Sequence, residues 1–261
     1  MVITQERIWG MLHLPPLPGS PRNTLSIKEI YAFIRHDTET LIHGGIKNVV
    51  LENFGDTPFF KDISMPQTVA LMVSIAQKLI IEFPTINLGI NVLRNDAISA
   101  LAIAKALEPN SKFIRVNILT GAYITDQGII EGKAAELLRY RREISGEKIE
   151  IWADIHVKHA SSLDPRPIET LAIEALERNG ASKIIISGEM TGKPTDLVVL
   201  QKLEKTIPRE KIVVGSGITP ENFRQYQNLA GYFIVGSCLK KDNKIENPIL
   251  LEKVEKLMEN L

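Results

Sequence analysis

The sequence predicts an α/β protein with a single-domain (β/α)8 TIM barrel fold. Eight short apolar runs rich in β-branched residues are spread along the chain, as buried parallel strands require. A stretch with the apolar spacing of a helix follows nearly every run. No linker, charge block or low-complexity segment divides the chain, so we assign residues 1–261 to one barrel domain. A doubly wound open sheet is the alternative, but it gives no reason for eight units.

The predicted strands open each unit in turn. They begin at residues 7, 48, 87, 112, 149, 183, 211 and 231. Several helices between them carry terminal signals. Ser26 and Glu29 form a capping box before the first helix, and Gly180 is placed to end the fifth. Thr219 and Pro220 have the residue types of an N-cap and first position for the seventh. Residues 118–132 are an irregular inserted loop between the fourth strand and its helix.

The composition is that of an ordinary soluble globular protein. Its 31 basic and 31 acidic residues give a formal net charge of zero, which does not favour binding to nucleic acid or to an anionic membrane. The single cysteine, Cys238, rules out an internal disulfide and fits a reducing compartment. No apolar run reaches the roughly 18 residues of a transmembrane helix, and the first residues lack the apolar core of a signal peptide. We expect a cytoplasmic protein that forms a homo-oligomer.

The last two predicted strands both end in Gly-Ser. Loops at these positions often bind phosphate in (β/α)8 enzymes, because glycine lets backbone N–H groups approach an anion and a short following helix adds partial positive charge. Lys240 and Lys241, just downstream, are candidate counter-charges. The repeated pattern favours a phosphate site over the alternative of simple tight turns. The predicted phosphate-binding residues are Gly215, Ser216, Gly217, Gly236 and Ser237.

The fifth predicted strand carries three ionisable side chains at alternate positions, Asp154, His156 and Lys158. Alternation along a strand places all three on one face and Ile155 and Val157 on the other. We expect the ionisable face to line the barrel interior. Buried ionisable groups must pair with each other or with a ligand, and they shift one another's pKa values. The two interpretations are a structural salt-bridge network and an acid–base set.

The ends of the other predicted strands are also polar, and catalytic residues of barrels lie at these ends. The candidate catalytic residues are Glu52, Asp154, His156 and Lys158. The candidate substrate-binding residues are His13, Asn53, Asn91, Arg94, Asn117 and Ser187. Glu52 and Asp154 could instead hold a divalent metal ion, although their spacing is not diagnostic. No other cofactor is indicated.

Several stretches at the strand ends resemble the BtpA/SgcQ family. They are GMLHLPPLPGSP, LENFGDTPFF, NVLRND, RVN, WADIHVKHA, ISGEMTGKPTD and VGSGITPEN, in this order from Gly10 to Asn222. The resemblance implies a barrel similar to the phosphate-binding barrels. One branch of the family is named for a factor needed in photosystem I biogenesis, and another is encoded beside sugar-phosphotransfer components.

Two functions are consistent with these observations. The first is an enzyme that acts on a small phosphorylated metabolite, a sugar or nucleoside phosphate, by isomerase, aldolase or lyase chemistry. Asp154, Glu52 and Lys158 would then transfer protons, and the asparagines would orient substrate hydroxyls. We expect Lys158 to be protonated, because an opposite charge nearby favours the ammonium form. The alternative is a non-enzymatic factor for biogenesis or stability of a membrane complex, built on an enzyme-like scaffold.

Overall fold

The computed structural model describes residues 5–188 and 194–260. The centre of the family stretch ISGEMTGKPTD, residues 189–193, lies outside them. The described residues form eleven strands and eight α-helices. The strands are β1 (Ile8–His13), β2 (Asn48–Glu52), β3 (Asn87–Asn91), β4 (Ser111–Val116), β5 (Ala122–Thr125), β6 (Gly128–Glu131), β7 (Glu150–Ile155), β8 (Ala160–Ser162), β9 (Lys183–Ile186), β10 (Ile212–Val214) and β11 (Tyr232–Val235). The helices are α1 (Ile27–His43), α2 (Pro66–Glu82), α3 (Ala97–Ala106), α4 (Ala134–Glu143), α5 (Ile168–Glu177), α6 (Leu197–Leu203), α7 (Phe223–Tyr226) and α8 (Leu251–Met258).

Eight strands close into one parallel barrel, in the order β1-β11-β10-β9-β7-β4-β3-β2. An α-helix follows each of them along the chain, so the predicted single-domain (β/α)8 fold is confirmed. The eight predicted strand positions correspond to these eight barrel strands. Among the described residues, no helix combines the length and apolar character needed to cross a bilayer.

The helix-end predictions are confirmed at two positions and wrong at one. Ser26 and Glu29 form the complete capping box of α1. Gly180 has φ +74°, the left-handed conformation expected of a residue that ends a helix. Helix α7 begins only at Phe223, with Asn222 as its N-cap, and Thr219 lies in the preceding turn, where its N–H donates to Asn222 Oδ1 at 2.8 Å.

The predicted irregular loop at residues 118–132 is instead a β-hairpin. Strands β5 and β6 pair antiparallel, and β8 joins β5 to make a separate three-stranded sheet. Alternation explains this local structure, since Tyr123 and Ile130 face inward while Ile124 and Ile129 are exposed. The inward pair packs with Val157 in a small buried cluster. The hairpin therefore covers the chain segment that leaves β7.

Large apolar side chains fill the interior of the barrel. Phe113 and Trp152 stack with ring centroids 3.6 Å apart, and the Trp9 ring meets both edge-on. Gly89 makes room for this stack, because a Cβ at position 89 would lie 2.4 Å from the Phe113 ring. The filled interior leaves space for a ligand only toward the carboxyl ends of the strands.

A fully buried ion pair ties the segment after β11 to α1. The Lys240 ammonium contacts Asp37, and both side chains are inaccessible to solvent. Asp37 also accepts from the Ile249 N–H at 2.8 Å, and the ammonium lies 5.2 Å from the centre of the Phe33 ring. Lys240 is therefore a structural residue, and its predicted role as a phosphate counter-charge is wrong. Lys241 is exposed and also lies outside the strand-end cavity.

We expect Lys240→Met to lower the free energy of unfolding by about 3–5 kcal/mol, because it leaves the Asp37 carboxylate buried without its cation. The double variant Asp37→Asn/Lys240→Met should recover much of this loss, since an asparagine oxygen can still accept from Ile249. Urea unfolding measures both. Equal stability of wild type and the single variant would contradict the assignment of Lys240.

Candidate functional site

A cavity of about 450 Å³ opens at the carboxyl ends of the barrel strands. It brings together polar side chains from the first five barrel strands and both Gly-Ser loops. Its polar and glycine lining residues are His13, Glu52, Thr57, Arg94, Arg115, Asn117, Asp126, Lys158, His159, Gly215, Ser216, Gly217, Gly236 and Ser237. All five predicted phosphate-binding residues thus face the same space as Glu52 and Lys158.

The two Gly-Ser loops approach the cavity with their backbones. Gly217 has φ +72°, which strongly favours glycine. A Cβ at Gly236 would lie 3.1 Å from the His13 ring, so a side chain there would fit only if the ring moved slightly. Within the described part of the chain, no hydrogen bond occupies the N–H of Gly217 or Ser237. Both residues also line the cavity.

The expected helix behind each loop is shorter than the sequence indicated. Residues Ser237–Leu239 form one 3-10 turn, and α7 has four residues and starts six positions after Gly217. Neither provides a long helix dipole. Any anion-binding capacity of these loops therefore comes from individual N–H groups and from the cations around the cavity.

A buried ion pair joins β4 to β7 beneath the cavity. Arg115 donates from Nε and Nη2 to the two oxygens of Asp154, both at 2.9 Å. Asn117 donates a third bond to Asp154 at 3.3 Å, and Asn91 donates to Asn117 Oδ1 at 3.0 Å. Burial alone would lower the pKa of Arg115, but Asp154 raises it above the ordinary value. Asp154 and Asn91 therefore position Arg115 and Asn117 and do not line the cavity themselves.

Glu52 and Lys158 have pKa values shifted toward each other. Burial raises the pKa of Glu52, although Arg115 and Lys158 oppose the shift. Burial and the Arg115 charge lower the pKa of Lys158 to about 8, although Asp154 and Glu52 oppose it. The expectation that a nearby carboxylate sets the pKa of Lys158 is wrong. Burial has the larger effect, and both oxygens of Asp154 accept hydrogen bonds from Arg115. At neutral pH the ammonium form of Lys158 still prevails, with a neutral fraction that is far larger than for an exposed lysine.

His13 is held in its neutral form. Its pKa is lowered well below 6.5, first by burial and then by the charges of Lys240, Lys158 and Arg115. The ring meets Phe54 edge-on at 5.3 Å, and its buried Nδ1 has no hydrogen-bond partner among the described residues. A neutral imidazole at this position can donate a hydrogen bond to a ligand or accept one from it without adding charge to the cavity.

Two predicted residues face a different cavity. Strand β7 ends at Ile155, and His156 has φ +59°, so the alternation that placed it beside Asp154 stops before it. His156 and Ser187 line a neighbouring cavity of about 770 Å³ beneath the hairpin. The prediction that these residues share the site of Glu52 is wrong. Lys158 reaches that site because the chain turns back after His156, and its Nζ lies 3.5 Å from the Gly215 carbonyl.

Asn53 is also not a cavity residue. Its amide donates to Asp56 Oδ2 at 3.1 Å, and its oxygen accepts from the Leu93 N–H at 2.8 Å. Both polar ends are thus used to hold the loops after β2 and β3. Its predicted role in substrate binding is replaced by a structural one.

The cavity also contains residues that the site prediction omitted. Arg115 lies at a polar strand end, and that signal was present in the sequence. Asp126 and His159 come from the hairpin and the segment after β7, and Phe59 comes from the loop after β2. No strand-end signal marks these three, because loop conformation brings them to the cavity.

The donor set does not fit the divalent metal ion considered for Glu52 and Asp154. Both Asp154 oxygens accept from Arg115, and this guanidinium lies beside the position that a cation would take. Among residues 5–188 and 194–260, no group of three His, Cys, Asp or Glu side chains is arranged to hold a metal ion. We therefore derive no chemistry from a metal at these residues.

Solved structures with the same fold are (β/α)8 barrels. Phosphoribosyl anthranilate isomerase from Thermus thermophilus aligns with a TM-score of 0.57 and 11% identity, covering 97% of each chain. Tryptophan synthase from Mycobacterium tuberculosis aligns with a TM-score of 0.61 and 11% identity, covering 98% of this chain and 93% of its own. Identities this low establish the shared fold alone.

Sequence relatives are much closer. An uncharacterized protein of Pyrococcus furiosus is 41% identical over 257 residues, covering 98% of this chain and 94% of its own. The photosystem I biogenesis protein BtpA of Synechocystis sp. is 40% identical over 248 residues, covering 94% of this chain and 84% of its own. The sequence profile of the BtpA family matches residues 4–261. The chain belongs to the BtpA family.

Proposed function

We propose that this protein is an enzyme that acts on a small phosphorylated metabolite, a sugar or nucleoside phosphate, by proton-transfer chemistry of the isomerase, aldolase or lyase type. The observation that carries the proposal is the meeting of the two Gly-Ser loops with Glu52 and Lys158 in one cavity. The N–H groups of Gly217 and Ser237 would bind the phosphate. The remaining polar groups would then act on the carbon chain attached to it.

Glu52 and Lys158 are the proposed acid–base residues. A general acid or base works best when its pKa lies near the working pH, and burial moves the pKa values of both groups in that direction. Isomerisation and elimination require a proton to leave the carbon next to a carbonyl, and aldol cleavage requires a proton to leave the hydroxyl on the following (β) carbon. Glu52 would accept this proton as a carboxylate, and Lys158 would stabilise the negative charge that develops.

Arg115 and His13 are proposed to assist at the oxygen where charge develops. The Asp154 carboxylate fixes the Arg115 guanidinium in both position and charge, so no side-chain reorganisation is needed during the reaction. The neutral His13 ring would donate or accept one hydrogen bond. Asn117, held by Asn91, would orient a substrate hydroxyl.

A second candidate function is a non-enzymatic role in the biogenesis or stability of a membrane complex. The name of the Synechocystis relative at 40% identity favours it. A factor that acts through its outer surface does not need ionisable groups with shifted pKa values inside a strand-end cavity. Phosphate binding and turnover distinguish the two functions. The homo-oligomeric state and the cytoplasmic location stay predictions.

We expect Ser237→Pro to weaken sulfate or phosphate binding by at least about tenfold, because proline lacks the N–H that donates to the anion. Position 237 begins a 3-10 turn, so its N–H makes no internal hydrogen bond that the substitution would remove. Ser237→Ala is the matched control, since it removes only the hydroxyl and should bind nearly as well as wild type. Calorimetric titration measures the affinities, and thermal melting confirms that each variant is folded. Equal binding by the proline variant would contradict the assigned phosphate site.

The affinity for sulfate should decrease as the pH rises through about 8. Lys158, whose pKa is lowered to about 8, carries its charge below that pH and loses it above. Sulfate is a suitable probe because its own charge is constant from pH 6 to 10. Lys158→Met should bind more weakly below pH 8 and should lose this pH step. A step of equal size in the variant would show that another group is responsible.

A further inference from the structure

Arg94 is a buried cation without an anionic partner among the described residues. Its residue is 7% exposed, and its guanidinium lines the cavity at the carboxyl end of β3. The one hydrogen bond that its side chain makes among the described residues runs from Nη2 to the Lys158 carbonyl at 2.5 Å. No Asp or Glu oxygen of the described chain lies within ion-pair distance of it. A buried charge in this state is costly unless a ligand supplies the opposite charge.

The carboxylates around Arg94 do not compensate for it. Asp154 is bound at both oxygens by Arg115. Glu52 and Asp126 line the same cavity, but they influence Arg94 only by their charges and form no hydrogen bond with it. Burial accordingly lowers the pKa of Arg94 below that of an ordinary arginine, despite the three acidic groups. The unused donors of the guanidinium therefore face the space that a ligand would occupy.

The barrel order places Arg94 across the cavity from the Gly-Ser loops. Within the closed ring of eight strands, β3 stands four positions from β10, which is the diametrically opposite position. Gly217 follows β10 and Arg94 follows β3. The backbone N–H groups of the loops and the Arg94 guanidinium, which is held at the Lys158 carbonyl, thus reach the cavity from different sides of the rim.

We propose that the substrate carries a second anionic group, a carboxylate or a second phosphate, at the end opposite its first phosphate, and that Arg94 binds it. This inference rests on the proposed function. The planar fork of a guanidinium matches the two oxygens of a carboxylate or phosphate, which a lysine does not. The substrate class is therefore a phosphorylated compound with a second anionic group, and sugar monophosphates without such a group bind more weakly.

Pairs of ligands that differ only at one end test the proposal. 6-Phosphogluconate and glucitol 6-phosphate have the same carbon chain and phosphate, but only the first has a terminal carboxylate. 3-Phosphoglycerate and glycerol 3-phosphate form a shorter pair. Calorimetry with wild-type protein should give a preference of about ten- to hundredfold for the carboxylate in at least one pair, the size of one charge-assisted interaction. Arg94→Met should reduce this ratio to about one, and Arg94→Lys should restore it only in part.

The outcomes separate this inference from the proposed function. If the ligands without a carboxylate bind and the ligands with a carboxylate bind no better, the second anion site is wrong and the phosphate site stands. If Arg94→Met, shown by melting to be folded, keeps the full preference, Arg94 is not the group that binds the second anion. If no ligand of either pair binds, both the phosphate site and this inference are overturned.

Discussion

Closure of eight parallel strands into one ring is the constraint on which the rest of the structure depends. All eight strands of a closed parallel barrel end at the same rim, so polar residues at their carboxyl ends must share one space. The interior below that rim is filled by the stacked Phe113 and Trp152 rings and their apolar neighbours. Above this layer, the charged side chains at the rim form the walls of the cavity.

The charges at the rim fall into two groups. Arg115 and Asp154 neutralise each other and act as a fixed support. Glu52, Lys158 and Arg94 have no ion-pair partner among the described residues, and burial shifts the pKa values of all three toward their neutral forms. Groups of this second kind are the ones whose protonation or pairing a ligand can change. Arg115, whose pKa Asp154 raises, supplies a fixed positive charge in the proposed mechanism and transfers no proton.

The sequence predicts the fold and the position of the two Gly-Ser loops at the strand ends, because both depend on local patterns repeated along the chain. It fails where a side chain's direction depends on backbone beyond a strand end, as at His156, whose positive φ ends the alternation. It also fails where a polar residue is used internally, as Asn53 is by Asp56 and Leu93. The sequence does not reveal the hairpin within residues 118–132, because the alternating pattern is only four residues long in each of its strands. The partner of Asp154 could not be inferred, since the choice between Arg115 and Lys158 depends on distances across the barrel.

The central claim is that Glu52 moves a proton of a phosphorylated substrate inside this cavity. The most direct test incubates the protein in D2O with a panel of phosphorylated ketoses, aldoses and sugar acids. Mass spectrometry then measures the deuterium incorporated into each compound. The account predicts that wild-type protein introduces deuterium at a carbon next to a carbonyl in at least one member of the panel. It also predicts that Glu52→Gln, which keeps the size of the side chain, abolishes that incorporation. Incorporation at the same rate by the glutamine variant, or none from any compound that the wild-type protein is shown to bind, would contradict it.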